Sequence, residues 1–385
     1  MIQISNPQDC CGCTACSSVC PKDAITMEPD ALGFLYPKVN SDKCIECGLC
    51  DKVCQFNDNY DKSLNYEQPK AFAVRHKREE EIIKSRSGAA FVAISDYVLN
   101  RGGVVYGVGY KDHFRVAHKR ATTKEERDEF RGSKYVQSDL RGIFKLVKRD
   151  LQDGIFVLFS GTPCQTSGLN AYVGKKLRKN LLLIDIVCHG VPGPYLWRDY
   201  LKYIEKVNHD IIEIVNFRDK NKYGWKAHIE SFKFLGGGGN NQYTTLFYQH
   251  IMFRHSCGVC HFANLKRPSD ITLADFWGWE KSVPGFNDDD KGCSLVLINT
   301  DLGATLFNEV SSELNVIPVD VANCLQNNLR QPTAPHPQRD EFEEYYKRHG
   351  FEPAMIKYVE GGRLSYYSKR TIRKVKNLIK QLIRR

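Results

Sequence analysis

Two runs of cysteine near the start of the chain carry the clearest chemical signal in the sequence. Each run spaces four cysteines at successive gaps of two, two and three residues. The members are Cys10, Cys13, Cys16 and Cys20, followed by Cys44, Cys47, Cys50 and Cys54. This spacing is typical of iron–sulfur cubes, because two-residue gaps let one loop reach three corners of a cube. Zinc is the alternative, but a zinc site needs only four cysteines in two pairs. Eight cysteines at this double spacing therefore favour two four-iron clusters.

The double run resembles that of two-cluster bacterial ferredoxins, in which the fourth cysteine of each run binds the other cluster. That crossing predicts a first cluster on Cys10, Cys13, Cys16 and Cys54, and a second cluster on Cys44, Cys47, Cys50 and Cys20. Two residues depart from the pattern. Gln55 stands where a proline is expected after the second run, and Cys11 is a ninth cysteine inside the first run. We interpret Cys11 as a bystander, because its use as a ligand would break the register.

Four further cysteines lie at positions that suit a third cluster. Cys164 and Cys188 each follow a short apolar segment that reads as a strand, and α/β sheets place ligand-binding loops at the carboxyl ends of strands. Cys257 and Cys260 add two thiolates from one turn. Each of these cysteines taken alone is explained equally well as a small buried residue. The residues themselves leave both interpretations open.

Other side chains near these segments could take part in catalysis or bind a phosphate. His189 adjoins Cys188 and could donate a proton to a reduced substrate or flavin, although a hydrogen bond to a neighbouring backbone group is the simpler role. Ser87 and Gly88 precede a predicted helix, whose first N–H groups can bind a phosphate. An ordinary helix cap is the alternative there.

The elements that must position these residues follow from the apolar pattern. Residues 1–56 form an α+β ferredoxin module, and residues 57–69 are polar and aperiodic, as a linker would be. Residues 70–345 alternate strand-like and helix-like segments, which predicts an α/β domain with a mixed sheet. The predicted strands are 71–75, 104–110, 114–120, 156–160 and 181–187, and the predicted helices are 89–100, 139–151 and 195–207.

Composition sets limits on location and partners. The 385-residue chain carries a net charge of +10, and residues 363–385 alone contain nine Lys or Arg and no acid, so no nucleic-acid role follows for the body. The N-terminus lacks a signal peptide, and no apolar stretch approaches the roughly 18–20 residues that span a bilayer. Exposed iron–sulfur chemistry fits a reducing cytoplasm. Residues 346–385 read as a basic amphipathic tail that could lie on the inner membrane surface, with packing on the body as the alternative.

Five segments in order resemble signatures of one family. They are Gly161–Gln165, Asp185–Gly190, Phe217–Lys220, Cys257–Cys260 and Ser269–Gly278. The family is the deazaflavin-coenzyme hydrogenase/dehydrogenase beta subunits, here preceded by a ferredoxin module. The resemblance implies a flavin-binding α/β domain with its own four-iron cluster on Cys164, Cys188, Cys257 and Cys260. It also implies FAD contacts from Ser87, Gly88, Ser133, Lys134, Tyr135, Thr162 and Asp275.

The function expected from these observations is that of an iron–sulfur flavoprotein oxidoreductase. Electrons would pass between the ferredoxin clusters, the third cluster and FAD to reduce or oxidise a small organic substrate. The expected partner is an electron donor or acceptor protein or a reduced coenzyme, and some relatives resemble proteins of surface-polysaccharide biosynthesis. Because one fold hosts many reactions, the family leaves the substrate open. The alternatives are an electron-relay subunit docked to a catalytic partner, and a ferredoxin fused to a binding domain without flavin.

Overall fold

A computed structural model describes residues 1–57, 69–234, 238–239 and 242–359. Most of the predicted linker, part of the glycine run that was expected to form a hairpin loop, and residues 360–385 of the basic tail lie outside the described residues. Among the helices that are described, none combines the length and the hydropathy needed to cross a lipid bilayer.

The N-terminal module contains two short helices and two strands. Its elements are α1 (Ala15–Val19), β1 (Ile25–Pro29), β2 (Leu35–Val39) and α2 (Leu49–Lys52). The strands pair antiparallel, with Ile25 opposite Val39. Thr14 and Gly48, which each follow the second cysteine of a run, have left-handed backbones with φ of 67° and 69°. This turn starts each short helix, and the third cysteine of each run lies on that helix.

The body alternates strands and helices from residue 70 onward. Its strands are β3 (Lys70–His76), β4 (Val104–Lys111), β5 (Arg115–Ala121), β6 (Val157–Gly161), β7 (Leu181–Ile186), β8 (Ile212–Asn216), β9 (Ser231–Phe234), β10 (Gly238–Gly239), β11 (Ile271–Asp275), β12 (Ser294–Ile298) and β13 (Leu314–Val319). Its helices are α3 (Glu79–Lys84), α4 (Ala90–Asn100), α5 (Lys124–Asp128), α6 (Ile143–Gln152), α7 (Pro163–Arg178), α8 (Pro194–Asn208), α9 (Lys220–Tyr223), α10 (Gln242–Tyr248), α11 (Trp279–Ser282), α12 (Asp301–Val310), α13 (Arg339–His349) and α14 (Phe351–Tyr358).

Within the described residues, eight strands form one mixed sheet in the order β13-β3-β12-β11-β7-β6-β4-β5. The four strands β4, β6, β7 and β11 run parallel. Strand β5 pairs antiparallel with β4 at one end of the sheet, and β12, β3 and β13 follow β11 in successive antiparallel pairs at the other. This confirms the predicted mixed α/β domain. Because β6, β7 and β11 are adjacent and parallel, their carboxyl ends meet at one edge of the sheet.

Both faces of this sheet are covered. Helices α4 and α12 cover one face, while α6 and α7 cover the other together with Ala15 of the module. The small sheet β10-β9-β8 packs with α8, α10 and α14 in another cluster, which also takes up Leu32 and Phe34 of the module. The ferredoxin module is therefore packed into the body on two sides.

Most predicted elements are shifted by a single residue at one end or both, and two bounds differ by more. Helix α6 begins at Ile143 rather than at residue 139, because the backbone of Asp139 pairs with His118 and Val116 of β5. Phe351 and Met355 of α14 are buried in the core that α8 lines, so the body reaches residue 359 rather than ending at 345. Their apolar side chains account for that packing, whereas the basic residues that suggested a tail come later in the chain.

Candidate iron–sulfur and cofactor sites

The second cysteine set surrounds one cavity. Cys44, Cys47 and Cys50 line it together with Cys20 from the first run. This is the crossing that the ferredoxin spacing predicts. Cys47 is exposed to solvent, and the neighbouring Ile45 is 57% exposed. This site therefore lies at the outer surface of the module.

The first set lies deeper. Burial raises the pKa of the Cys16 thiol well above its usual value, and the charges of Cys13, Cys10 and Cys54 raise it further. Burial also raises the pKa of Cys54 to about 12, and the charges of Cys13 and Cys10 contribute to that rise. Such mutual electrostatic effects require the four sulfurs to be close together. Cys54, from the second run, thus belongs with the first set.

The third set assembles at the edge where the parallel strands end. Cys164 lies in the first turn of α7, directly after β6, and Cys188 lies two residues beyond β7. Burial raises the pKa of Cys188, and the charges of Cys257, Cys164 and Cys260 add to that rise. The four cysteines therefore converge from three segments of the chain. Thiolates gathered in this way are the donors that a four-iron cluster requires.

A single metal ion does not account for these arrangements. In the described ranges, which include all twelve cysteines of the three sets, no group of three or more His, Cys, Asp or Glu side chains could hold one ion. All of these cysteines are free thiols rather than disulfides.

The module and the body meet between the first and third sets. Arg254, which is 2% exposed, donates from Nε to the carbonyl oxygen of Cys10 at 2.7 Å, and its Nη2 lies 3.5 Å from Cys10 Sγ. Gln55 Nε2 donates to Cys11 Sγ at 2.9 Å and to the carbonyl oxygen of Cys164 at 3.0 Å. The first set is therefore the one that faces the third.

A basic cavity of about 280 Å³ opens beside this edge of the sheet. The cationic side chains that line it are Lys84, Arg86, Arg131, Lys134, Arg218 and Lys220, and Glu129 is the one acid among its lining residues. Burial lowers the pKa of Lys134 to about 7, and burial with the Arg86 charge lowers the pKa of Lys220 to about 7. A bound anion would relieve this concentration of positive charge.

Unused hydrogen-bonding atoms also point to a ligand in the cavity. Among the described residues, Ser85 Oγ, Arg86 Nε and Arg218 Nε are buried and have no hydrogen-bond partner. Buried polar groups of this kind normally find partners. Cations and spare donors suit the diphosphate of a dinucleotide such as FAD. The volume lies near the lower end of the roughly 300–1,000 Å³ common for small-molecule sites.

A row of aromatic rings connects this cavity with the third cysteine set. The ring of His189, next to Cys188, stacks on Phe247 at 5.4 Å, and Phe247 lies 4.9 Å from Tyr135. The hydroxyl oxygen of Tyr135 lies 3.4 Å from Nη1 of Arg218. His228 lies 4.4 Å from Tyr135, between ring centroids. These rings therefore form a continuous aromatic contact between Arg218 of the cavity and the segment that carries Cys188.

The predicted FAD residues divide into two groups. Ser133 and Lys134 line the cavity, but Lys134 Nζ donates to the carbonyl oxygens of Glu129, Arg131 and Gly132. Tyr135 lies at the row of rings. The remaining four are already bonded within the protein. Ser87 donates to the carbonyl oxygen of Cys293, and the amide of Gly88 donates to Ser294 Oγ. Thr162 Oγ1 lies within hydrogen-bond distance of Cys164 Sγ, and Asp275 accepts from Arg218.

His189 uses both of its ring nitrogens. Nδ1 lies 3.1 Å from Asn328 Oδ1, and Nε2 lies 2.9 Å from Nε2 of His250. Burial and the His250 charge lower the pKa of His189. The ring of His189 therefore contacts two side chains rather than the backbone group that the sequence offered as its simpler partner, and His189 and His250 can share a proton.

Sequence reasoning missed the residues that make the cavity basic. Arg218 and Lys220 belong to a segment that carried the family resemblance, yet they were given no role. Arg86 lies between Ser85 and Ser87, beside a candidate phosphate site. Three basic residues adjoining predicted ligand-binding segments were the available signal.

Two segments of the chain match known protein families. Residues 156–321 match the sequence model of the coenzyme F420 hydrogenase/dehydrogenase family that describes the C terminus of the beta subunit. This segment belongs to that family. Residues 9–57 match the 4Fe-4S dicluster domain. The predicted family and the predicted pair of ferredoxin-type clusters are thereby confirmed, and the segment that matches the beta-subunit model contains all four cysteines of the third set.

Among the similar solved structures, one is similar over most of the chain. It is a chain of the xenon-derivatised F420-reducing [NiFe] hydrogenase complex from Methanosarcina barkeri, with 16% sequence identity and a TM-score of 0.45. The similarity covers 76% of this chain and 92% of that chain. No curated protein matches the chain.

Proposed function

We propose that this protein is an iron–sulfur flavoprotein oxidoreductase with three four-iron clusters in series. The observation that carries the proposal is the order of the cysteine sets, with the second at the surface, the first at the junction and the third beside the row of rings. Electrons from a protein donor or a reduced coenzyme would enter at the second set, near the exposed Cys47. Electron flow in the opposite direction would pass through the same three cysteine sets, from the third to the second.

FAD is the cofactor that fits the far end of this series. When bound, it supplies the conversion between single electrons and a hydride. Arg86 and Arg218 would hold its diphosphate through their Nε atoms, which are buried without a partner among the described residues. Lys220 would add positive charge, since its Nζ already donates to the carbonyl oxygens of Ile82 and Lys291. Tyr135 and Phe247 would lie against its ring system, and the His189–His250 pair could hold the proton that accompanies hydride chemistry.

Metal and flavin analysis tests this proposal. Protein purified and reconstituted without oxygen should contain about twelve irons, as three cubes of four, and about one FAD released on denaturation. Cys188→Ser should remove one cluster and keep the other two, whereas Cys324→Ser, at a buried cysteine outside the three sets, should keep all the iron. Full iron in the Cys188→Ser protein would contradict the third cluster.

An electron-relay subunit is the second candidate. The exposed surface at Ile45, Cys47 and Leu49 favours it, because an apolar patch beside a cluster suits a redox partner protein. A screen of organic acceptors against the reduced, purified protein separates the two candidates. Turnover by the protein alone supports the enzyme, and reduction of no acceptor supports the relay. Intermediates of surface-polysaccharide synthesis belong in the screen.

A peripheral membrane role for the basic tail stays part of the proposal. Residues 364–385 carry the charge that would bind an anionic surface. Co-sedimentation with anionic vesicles, with and without these residues, tests it at two salt concentrations, since screening weakens such binding beyond about 10 Å at 0.1 M salt. Equal pelleting of both forms would exclude the tail as a membrane anchor.

A further inference from the structure

Arg254 is a cation buried among uncharged groups. The residue is 2% exposed, and a guanidinium stays protonated in folded proteins. Its hydrogen-bond acceptors are the carbonyl oxygens of Cys10 and Leu35, the amide oxygen of Gln137 and the sulfur of Cys10. Of these acceptors, the sulfur is the one that becomes an anion when Cys10 binds iron.

The charge of Arg254 has no carboxylate in contact with it. No Asp or Glu oxygen in the described ranges lies within 4.0 Å of its nitrogens. Asp30 is near enough for its charge to act on Arg254, but its carboxylate accepts two backbone amides of its own turn instead. Buried charges are normally paired, because an unpaired one is costly to remove from water. A further anion is therefore expected beside this guanidinium.

The loop that carries the first cysteine set packs directly on the guanidinium. Gly12, between Cys10 and Cys13, has a φ of 69°, and a Cβ atom there would lie 2.9 Å from Nη1 of Arg254. Cys10 Sγ accepts from the amide of Gly12 at 3.4 Å and lies 3.5 Å from Nη2 of Arg254. The first cluster is therefore the anion that this geometry places beside Arg254.

We propose that Arg254 is the fixed counter-ion of the first cluster and holds its reduction potential above that of the second cluster. A cube bound by four thiolates is an anion, and it becomes more negative when it takes up an electron. A buried cation in contact with one ligand sulfur stabilises that reduced form. The proposal rests on the proposed function for the order in which the clusters pass electrons.

The second set has no comparable charge. The side chains that line its cavity include one cation and one acid, Lys22 and Glu46, and solvent reaches both of them. Charges exposed to solvent are screened far more than buried ones. The two ferredoxin clusters, which have the same ligand type, are therefore expected to differ in potential because of Arg254.

This difference would favour electron transfer from the surface towards the junction with the third set. When one electron passes between the ferredoxin clusters, the second is oxidised by one electron and the first is reduced by one. Arg254 takes up neither a proton nor an electron, because its guanidinium is already fully protonated. Its effect on the potential should therefore be the same at acidic and alkaline pH.

Gln137 offers a way to cancel the charge without removing Arg254. Its Oε1 accepts from Nη1 of Arg254 at 3.0 Å, and its Nε2 donates to the carbonyl oxygen of Cys11 at 2.8 Å. Gln137→Glu would place a carboxylate against the guanidinium and neutralise the pair. Gln137→Met removes the same two contacts and adds no charge, so it is the matched control.

Redox titration of the full chain, followed by EPR without oxygen, tests the proposal. Arg254→Gln and Gln137→Glu should keep the wild-type iron content and weaken reduction of the first cluster by at least about tenfold, which is about 59 mV for one electron. Arg254→Lys and Gln137→Met should stay closer to the wild type, because the positive charge remains. The second cluster, whose signal Cys20→Ser identifies, should not shift in any of these proteins.

Three results would overturn the proposal. They are an unchanged first-cluster potential in Gln137→Glu, an equal fall in Gln137→Glu and Gln137→Met, and an equal shift of both ferredoxin clusters. If Arg254→Gln loses iron, the two Gln137 variants decide the question, since both keep Arg254. A wild-type protein without FAD or a third cluster would defeat the proposed function, but it would leave both ferredoxin signals available for this comparison, so the two failures are distinguishable.

Discussion

The guanidinium of Arg254 lies 4.2 Å from the ring centroid of Tyr36, on the face of the ferredoxin module that meets the body. From this position Arg254 donates to the carbonyl oxygens of Cys10 at 2.7 Å and Leu35 at 2.9 Å. Its own carbonyl oxygen accepts from the amide of Cys257 at 3.0 Å. One buried cation thus connects the first cysteine set to the third.

Replacing Arg254 by Met should weaken this junction. The carbonyl oxygens of Cys10 and Leu35 would be left buried without their donor, and such losses cost about 1–3 kcal/mol each. We expect the free energy of unfolding to fall by about 3 kcal/mol, measured by denaturant titration without oxygen. Arg198→Met is the matched control, because the Arg198 side chain is 49% exposed and should contribute less than about 1 kcal/mol. Equal losses in both variants would contradict a special role for Arg254.

The crossing of ligands between the two ferredoxin clusters gives a second prediction. Cys20→Ser should damage the second cluster, because Cys20 lines the cavity of Cys44, Cys47 and Cys50. Cys54→Ser should damage the first cluster instead, since Cys54 is close to Cys16. EPR of the reduced proteins would tell the two apart, because only the second cluster lies beside the exposed Cys47 and should respond to a bulky paramagnetic relaxant. Loss of the same signal in both variants would contradict the crossing.

The cysteine sets could be predicted from their spacing in the sequence. Contacts between distant segments of the chain could not. The crossing of Cys20 and Cys54 follows from how far a three-residue gap can reach. Arg254 and Cys10 are separated by 244 positions, and nothing in either segment indicates that they meet. That Cys11 does not serve as a ligand stays a prediction, and its place near Cys164 depends on how α7 packs against the module.

Only some of the residues that line the basic cavity could be predicted, for the same reason. Ser133 and Lys134 were assigned to it through the family resemblance, while Arg86 and Arg218 come from segments 132 positions apart. Their nearness arises because Nη1 of Arg86 donates to the carbonyl oxygen of Arg218 at 2.7 Å. The residue pattern within one segment cannot predict a contact between two segments so far apart in the sequence.

FAD affinity should fall as pH rises through neutrality. In the free cavity the pKa values of Lys134 and Lys220 are both about 7, so both lysines are charged below pH 7 and lose protons above it. A bound diphosphate favours the charged form, so binding above pH 7 requires proton uptake. We expect affinity to drop by up to about tenfold per pH unit for each lysine between pH 7 and 9, measured by equilibrium dialysis.

Substitution of the lysines provides the check on that pH dependence. Lys220→Met should bind FAD more weakly at pH 6 and should show a shallower slope above pH 7. Lys226→Met is the control, because Lys226 is 65% exposed, pairs with Glu280 and does not line the cavity. A slope that survives both Lys134→Met and Lys220→Met would show that other groups bind the proton.

Gly168 should be indispensable to the first cluster, although it is not a ligand. A Cβ atom there would lie 2.7 Å from Cys13 Sγ, a contact that neither atom can avoid without moving Cys13 or α7. Gly168→Ala should therefore lose the iron of the first cluster, measured by iron content and EPR. Gly174→Ala is the control in the same helix. Its backbone, with φ of 69° and ψ of 170°, lies in a region adopted almost only by glycine and strains alanine by about 1–3 kcal/mol. The Cβ meets no atom within 4 Å, so stability should fall while all the iron stays bound. Full iron in Gly168→Ala would mean that α7 does not press on the Cys13 sulfur.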